Sequence, residues 1–391
     1  MASTSYYLTT VDPNYLHGLG CELGTRDQNL PEAQDSVVVL NFSYPICFNE
    51  GHFGADLYGY GPATINHIKT AVQAFTSGYY TCTGTDDASN LVVGVGTNNK
   101  SSVTPSSVPL SPYTCDDTEK ANAHGAAWSG LVSEINQWLI QTGMFHQVQA
   151  YGASDIELGW NTPTWSRAWV DGFSQSGENF LLHFGDAAGC PYDDNPHWSC
   201  GTSNFRAWTM EDVWYVSWGA PSSLPLPLIY LTNGVHAKQW AYLSQYSVSQ
   251  HGHRMDFTGV FTQEQFCQQF NWPICERTNN SPEQAYEQLM TELNKHAATA
   301  QNIRWKTDIR WIMQSELTQE PGQTDTSLSS IQVSDQDDPF SAYLMNLDNT
   351  VLSSAMQSSL LMKQTIRDNF AYQIEISRTN PADKHGRIIF P

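Results

Sequence analysis

The chain has 391 residues, 40% of them hydrophobic, which is more than most single domains hold and enough for a sizeable core. Its 39 acidic residues against 18 Lys and Arg give a net charge of −21, which repels nucleic acid and anionic lipid and excludes both as main partners. No apolar run approaches the roughly 18 residues that a membrane helix needs, so no membrane span is predicted.

Residues 1–35 are polar with little periodicity and are read as an N-terminal segment packing on the domain that begins at residue 36. SVVVLNFSYP (36–45) is a short β-branched run ended by Pro, the pattern of a buried strand. After a Gly/Tyr-rich loop, residues 64–80 carry Ile65, Ile68, Val72 and Phe75 at helical spacing. NLVVGVGTNN (90–99) is a second strand, followed by a Ser/Thr/Pro loop over 100–113. Residues 124–143 form a helix with Trp128, Leu131, Ile135 and Trp138 along one stripe. HQVQAYGASDIEL is a third strand, WSRAWVDGF a short helix, and NFLLHFGDA (179–187) a fourth strand. Further strands are expected at 213–218, 225–232 and 253–262, with a helix in HAKQWAYLSQYS between the last two.

Strands alternating with helices over about 230 residues predict an α/β fold with parallel strands, and specifically a (β/α)8 TIM-like barrel spanning 36–278. A doubly wound open sheet is the competing architecture, but NFSYPICFNEGHFG after the first strand is not a phosphate-binding Gly-rich turn. Beyond Thr278 the texture changes. Residues 281–303 and 352–370 read as helices, separated by linker-like TQEPGQTDTSLSS and VSDQDDP, so 279–391 is expected to be a mostly helical C-terminal extension.

Eight cysteines, none in a CxxC motif, point away from zinc and thioredoxin-like chemistry. An even number in a loop-rich, Lys-poor chain fits disulfides and an oxidising, extracellular location. Spacing suggests Cys190 with Cys200, Cys267 with Cys275, Cys82 with Cys115 and Cys21 with Cys47, although eight cysteines allow about 105 pairings. MASTSYYLTT has neither a basic n-region nor an apolar h-region, so no signal peptide is expected in this sequence.

The chemistry concentrates in Asp155-Ile156-Glu157, at the end of the third predicted strand. Side chains alternate across a strand, so Asp155 and Glu157 face the same way if the strand continues, with Cα atoms about 6.6 Å apart. At the C-terminal end of a barrel strand such a pair faces the active site. A carboxyl pair fits glycoside hydrolysis, in which one acid protonates the leaving oxygen and the other, ionised, raises its pKa. Asp186, after the fourth strand, is a candidate third acid. Asn41, Asn98, Asn99, Trp218, Tyr230 and Trp240 lie near other strand ends and suit a sugar cleft, the amides as donors and the rings as stacking faces.

The same residues have plainer readings. A D-x-E at a strand end also occurs as solvated surface or a helix cap, Asp186 as a turn residue before Gly189, and Trp218 and Tyr230 as core. A calcium or magnesium ion on Asp155, Glu157 and Asp186 is chemically reasonable, but no EF-type spacing accompanies it. His251 and His253 read as exposed loop residues rather than ligands. No metal or cofactor is expected. HGAAWSG is not a G-x-S-x-G elbow, which sets a serine hydrolase aside.

The phrases GASDIELGWN, WVDGF, FGDAAGC, VSWGAP, LPLIY, AKQW and MDFTGVFT resemble secreted glycoside-hydrolase-like TIM-barrel proteins. These are distantly related to the D-x-E muramidases, the family 25 glycoside hydrolases. The resemblance covers about 36–275. It implies acid-catalysed cleavage of a cell-wall or extracellular glycan, with Glu157 as proton donor and Asp155 orienting substrate or stabilising positive charge. The muramidases carry an Asp on their first strand, where the matching stretch here reads Leu40-Asn41-Phe42-Ser43, and their D-x-E falls later in the strand order than a third strand. Two other function classes stay open: a catalytically silent barrel that binds glycan, and an extracellular structural or assembly protein.

Overall fold

The computed structural model describes residues 1–48, 51–58, 61–100, 114–192, 199–200, 207–270 and 272–312. In chain order the elements begin with β1 (Ser3–Tyr7), α1 (Pro13–Gln28) and β2 (Asp35–Asn41). A small insertion comes next: β3 (Tyr44–Cys47), β4 (Phe53–Asp56) and β5 (Pro62–Thr64), leading into α2 (Ile65–Cys82). Then come β6 (Asn90–Asn98), α3 (Thr118–Gln141), β7 (Val148–Asp155), α4 (Pro163–Gln175) and β8 (Leu181–His183). The rest is α5 (Met210–Trp214), β9 (Ser223–Pro225), α6 (Val235–His251), β10 (Gly259–Thr262), α7 (Glu264–Phe270), α8 (Cys275–Thr278), α9 (Pro282–Leu293) and β11 (Trp305–Trp311).

Eight strands form one parallel sheet in the order β10-β11-β1-β2-β6-β7-β8-β9. The remaining gap, between β9 and β10, is crossed just past β9 by backbone bonds from Phe261 N to Pro227 O (2.9 Å) and from Ile229 N to Phe261 O (3.0 Å). The result is an α/β fold with a nearly closed, barrel-like sheet. β2 shows why: Val37, Val38, Val39 and Leu40 are all fully buried, as a strand covered on both faces requires. Alternation divides them between two cores. Val37 and Val39 join Ala153, Leu182, Leu228, Phe261 and Ile309 inside the barrel. Val38 and Leu40 join Val93, Val95, Leu131 and Phe75 in the layer under the helices.

Several expectations shift. The sheet reaches beyond 36–278 at both ends, since β1 lies in the segment read as packing and β11 in the segment read as a helical extension. Asp12 caps α1 by accepting from Asn14 N, with Pro13 in the first turn, a start signal that the sequence carries. The strand expected at 213–218 is instead α5 followed by a π-helical turn over Tyr215–Gly219. Thr209 and Asp212 close a capping box there, and Val213, Val216 and Ser217 bury one helical face. The expected helix over 281–303 shortens to α9. The helix expected at 352–370 and both linker-like stretches lie outside the described residues.

Cys190 pairs with Cys200 and Cys267 with Cys275, as the spacing predicts. The other two pairs are Cys21–Cys82 and Cys47–Cys115, not Cys21–Cys47 and Cys82–Cys115. Neighbourhood in the fold decides: α1 and α2 pack side by side, and β3 lies against the start of α3. Four disulfides fit an oxidising environment. Among the described residues no helix is long and apolar enough to cross a membrane.

Candidate functional site

The C-terminal ends of β1, β2, β6 and β7 come into register through Tyr7–Asn41, Asn41–Gly96 and Asn98–Asp155. Alternation turns Tyr7, Asn41, Asn98 and Asp155 into the barrel, one layer above Val39 and Ala153. Asn41 Oδ1 accepts from Ser43 N and Asn98 Oδ1 from Lys100 N, each at 3.0 Å. Both strands thus end in the same local side-chain turn.

Asp155 is the last residue of β7, and because β1 comes first in the sheet, D-x-E stands at the end of the fourth barrel strand rather than the third. Asp155 Oδ2 accepts from the Tyr7 hydroxyl at 3.0 Å, while Oδ1 is buried without a protein hydrogen-bond partner. Glu157 is also buried, at 5% exposure. Its peptide is held by Asn99, whose Oδ1 accepts from Glu157 N and whose Nδ2 donates to Glu157 O, both at 3.1 Å.

Asp186 reaches the same segment from β8. Its N–H donates to Ile156 O and its Oδ1 accepts from Leu158 N, both at 3.3 Å. Gly185 permits this approach, since a Cβ there would lie 2.0 Å from Ile156 O. Asp186 Oδ2 is buried with no protein partner.

Burial dominates the electrostatics. Desolvation holds the Asp155 carboxyl well above the usual carboxylate range; the Tyr7 hydrogen bond opposes this and the neighbouring Asp186 adds to it. Desolvation pushes Asp186 up to about 7, against hydrogen bonds from the Leu158 and Ala188 backbones. The phenols of Tyr7, Tyr58 and Tyr230 are pushed well above their ordinary value, first by burial and then by the Asp155 charge, so they stay protonated.

A roof closes over these groups. Tyr58, from the loop after β4, has a left-handed backbone (φ 49°) and stacks on Tyr7 with ring centroids 5.2 Å apart. Trp311, at the end of β11, stands edge-on to both rings. Lys100, also buried, places its ammonium 5.4 Å from the Tyr44 ring and 5.9 Å from the Trp160 ring.

Of the residues expected from sequence, Asp155, Glu157, Asp186, Asn41, Asn98 and Tyr230 therefore share one end of the barrel. Trp218 does not: it precedes β9, at the N-terminal strand ends, and its Nε1 donates to His253 Nδ1 at 3.4 Å. Trp240 is fully buried on α6 behind the sheet, edge-on to His183 and Phe257, and cannot stack a sugar there. Tyr7, Tyr58 and Lys100 were missed. Tyr7 ends a strand whose polar alternation, STSYY, gives little apolar signal, and Tyr58 arrives through the small β3–β5 sheet.

Among the described residues no group of three or more His, Cys, Asp or Glu is placed to hold a metal ion. A separate depression of about 480 Å3 beside the Cys267–Cys275 disulfide is lined by Glu264, Trp272 and Glu276, and none of the expected site residues borders it. What the buried end can do chemically is keep a carboxyl protonated near neutral pH beside other acids, the arrangement that general-acid catalysis uses. No family model matches this chain, and no curated protein matches it.

Proposed function

We propose that this chain is a secreted glycoside-hydrolase-like barrel of the (β/α)8 TIM type, acting on a cell-wall or extracellular glycan by carboxylate acid/base catalysis. One observation carries the reading: three buried carboxyls, Asp155, Glu157 and Asp186, lie at the C-terminal strand ends of the barrel-like sheet, where enzymes of this architecture place their chemistry. Glu157 donates the proton to the leaving oxygen. Asp155, held by Tyr7, orients the substrate. Asp186 fixes the D-x-E turn through Leu158. Substrate entry requires Tyr58 to move from the mouth.

The test is hydrolysis of a glycan panel, including peptidoglycan and chitin-type oligomers, by wild type and Glu157→Gln. Turnover by wild type that falls by about 10²-fold or more in the variant supports the reading. No turnover on any glycan, with equal binding by both proteins, overturns it.

A second reading, a catalytically silent glycan-binding barrel, is favoured by the stretch that resembles the muramidases' first strand. It carries the amide Asn41 where the muramidases carry an Asp, and Tyr7 and Tyr58 leave Asp155 only 1% exposed. Binding without turnover in the same panel selects this reading.

A further inference from the structure

The ladder between β6 and β7 ends at the pair Asn98–Asp155, yet contact between the two chains does not stop there. Asn99 N donates to Asp155 O at 3.1 Å. The Asn99 side chain then takes both polar atoms of the Glu157 peptide, at 3.1 Å each. Its Nδ2 also donates to Ser166 Oγ at 3.0 Å, in the first turns of α4. Its carbonyl accepts from Asn161 Nδ2 at 2.8 Å. Every polar atom of Asn99 is thus used, and the residue is 1% exposed. A carboxamide that reads the N–H and C=O of one residue does what a neighbouring strand would do. It extends the sheet by one residue using a side chain, where the backbones have already parted.

We infer that Asn99 is the positioning residue for Glu157: it fixes the peptide from which that carboxyl projects and so holds it on the same side as Asp155. The catalytic sense of this inference rests on the hydrolase reading above. Asn99 touches the Glu157 main chain and acts only through it. Of the common side chains of this length, only the carboxamide offers a donor and an acceptor at once. Aspartate has the shape but lacks the donor until it is protonated.

The experiment compares Asn99→Ala and Asn99→Asp with wild type in the full chain. The first readout is the 13C NMR titration of the Glu157 carboxyl, assigned by its loss in Glu157→Gln, with buried Asp308 as the control. The midpoint of Glu157 is expected to move by on the order of one pH unit in Asn99→Ala while that of Asp308 stays. The second readout is kinetics on any glycan that wild type hydrolyses. There kcat is expected to fall by about 10- to 100-fold with KM within about twofold. Asn99→Asp is expected to regain activity relative to wild type as the pH drops and its carboxyl gains a proton to donate. An unmoved Glu157 titration in both variants overturns the inference whether or not the protein is a hydrolase. A moved titration in a protein that turns over no glycan keeps the clamp and removes the hydrolase reading. If Asn99→Ala does not fold, Asn99→Asp carries both readouts.

Discussion

The Tyr7 hydroxyl donates to Asp155 Oδ2 at 3.0 Å, joining the ends of two strands that two others separate in the sheet. The bond crosses the barrel's interior. It also sets the polarity of the layer, because the phenol stays protonated and is the hydrogen-bond donor, with Asp155 Oδ2 the acceptor.

Removing that donor leaves a buried carboxylate oxygen without its partner. Tyr7→Phe is expected to cost about 1–3 kcal/mol of stability at pH 7, read by chemical denaturation. It also raises the Asp155 pKa further, because the hydrogen bond from Tyr7 is what opposes desolvation. A change below about 0.5 kcal/mol, the range of ordinary surface substitutions, would mean that the bond is not made in solution.

Asp186 gives a pH signature. Its folded-state pKa, about 7, lies above the ordinary 3.8 of an unfolded chain. Folding therefore takes up a proton between these values. The group's contribution is fully present below pH 3.8 and is lost as pH rises through 7. Asp186→Asn keeps the acceptor for Leu158 N and removes the ionisation. The variant is expected to match wild type near pH 4 and to exceed it by on the order of a few kcal/mol near pH 8, read by Tm across that range. Equal Tm profiles would show that Asp186 ionises freely in the folded protein.

The buried histidines act with the opposite sign. Desolvation lowers His183 to about 3, and His124 and His236 to about 4, from 6.5. Stability tied to them is present above pH 6.5 and is lost as pH falls towards 4. His124 is fixed as a neutral ring by Trp169 Nε1 donating to Nδ1 and by its own Nε2 facing Gly54 O, each at 2.9 Å. Neither ring nitrogen of His183 meets a protein partner. His183→Leu is therefore expected to be near neutral at pH 7 and more stable than wild type at pH 5. A loss at both pH values would indicate polar contacts to that ring.

The disulfides make two further expectations. Non-reducing peptide mapping is expected to recover Cys21–Cys82 and Cys47–Cys115 peptides. Cys47–Cys115 closes a separation of 68 residues and Cys267–Cys275 one of 8. On loop-closure entropy, replacing the first pair by Ala costs about 4 kcal/mol and the second about 2.5 kcal/mol. Denaturant unfolding of the two double variants reads the order, and a reversed order would show that native contacts outweigh chain entropy here.

The fold class was legible wherever burial on both faces wrote a continuous apolar run, as at Val37–Leu40. It was hidden where the barrel interior is polar. β1 alternates Ser3, Ser5 and Tyr7 inward, with Ser5 Oγ bonded to Thr307 Oγ1 at 2.7 Å, so hydrophobicity gave no signal. β11 was obscured differently, by Lys306, Asp308 and Arg310 on the face opposite the inward Ile309 and Trp311. At the candidate site, Asp155, Glu157 and Asp186 stood out because acids at strand ends are chemically conspicuous. Trp218 and Trp240 misled because an aromatic residue looks the same in a cleft and in a core. The role of Asn99 depends on which peptide lies opposite it, 58 residues away, and only register supplies that.

The pairing of β1 with β11 sets a timetable for the molecule. Ser3 lies beside Thr307, so the hydrogen-bonding edge of the first strand has no partner until some 300 later residues exist. At the ~5–20 residues per second of ribosomal synthesis, that edge stays open for on the order of 15–60 s. β1 is only 5 residues long, which makes the waiting edge a poor template for pairing with other chains.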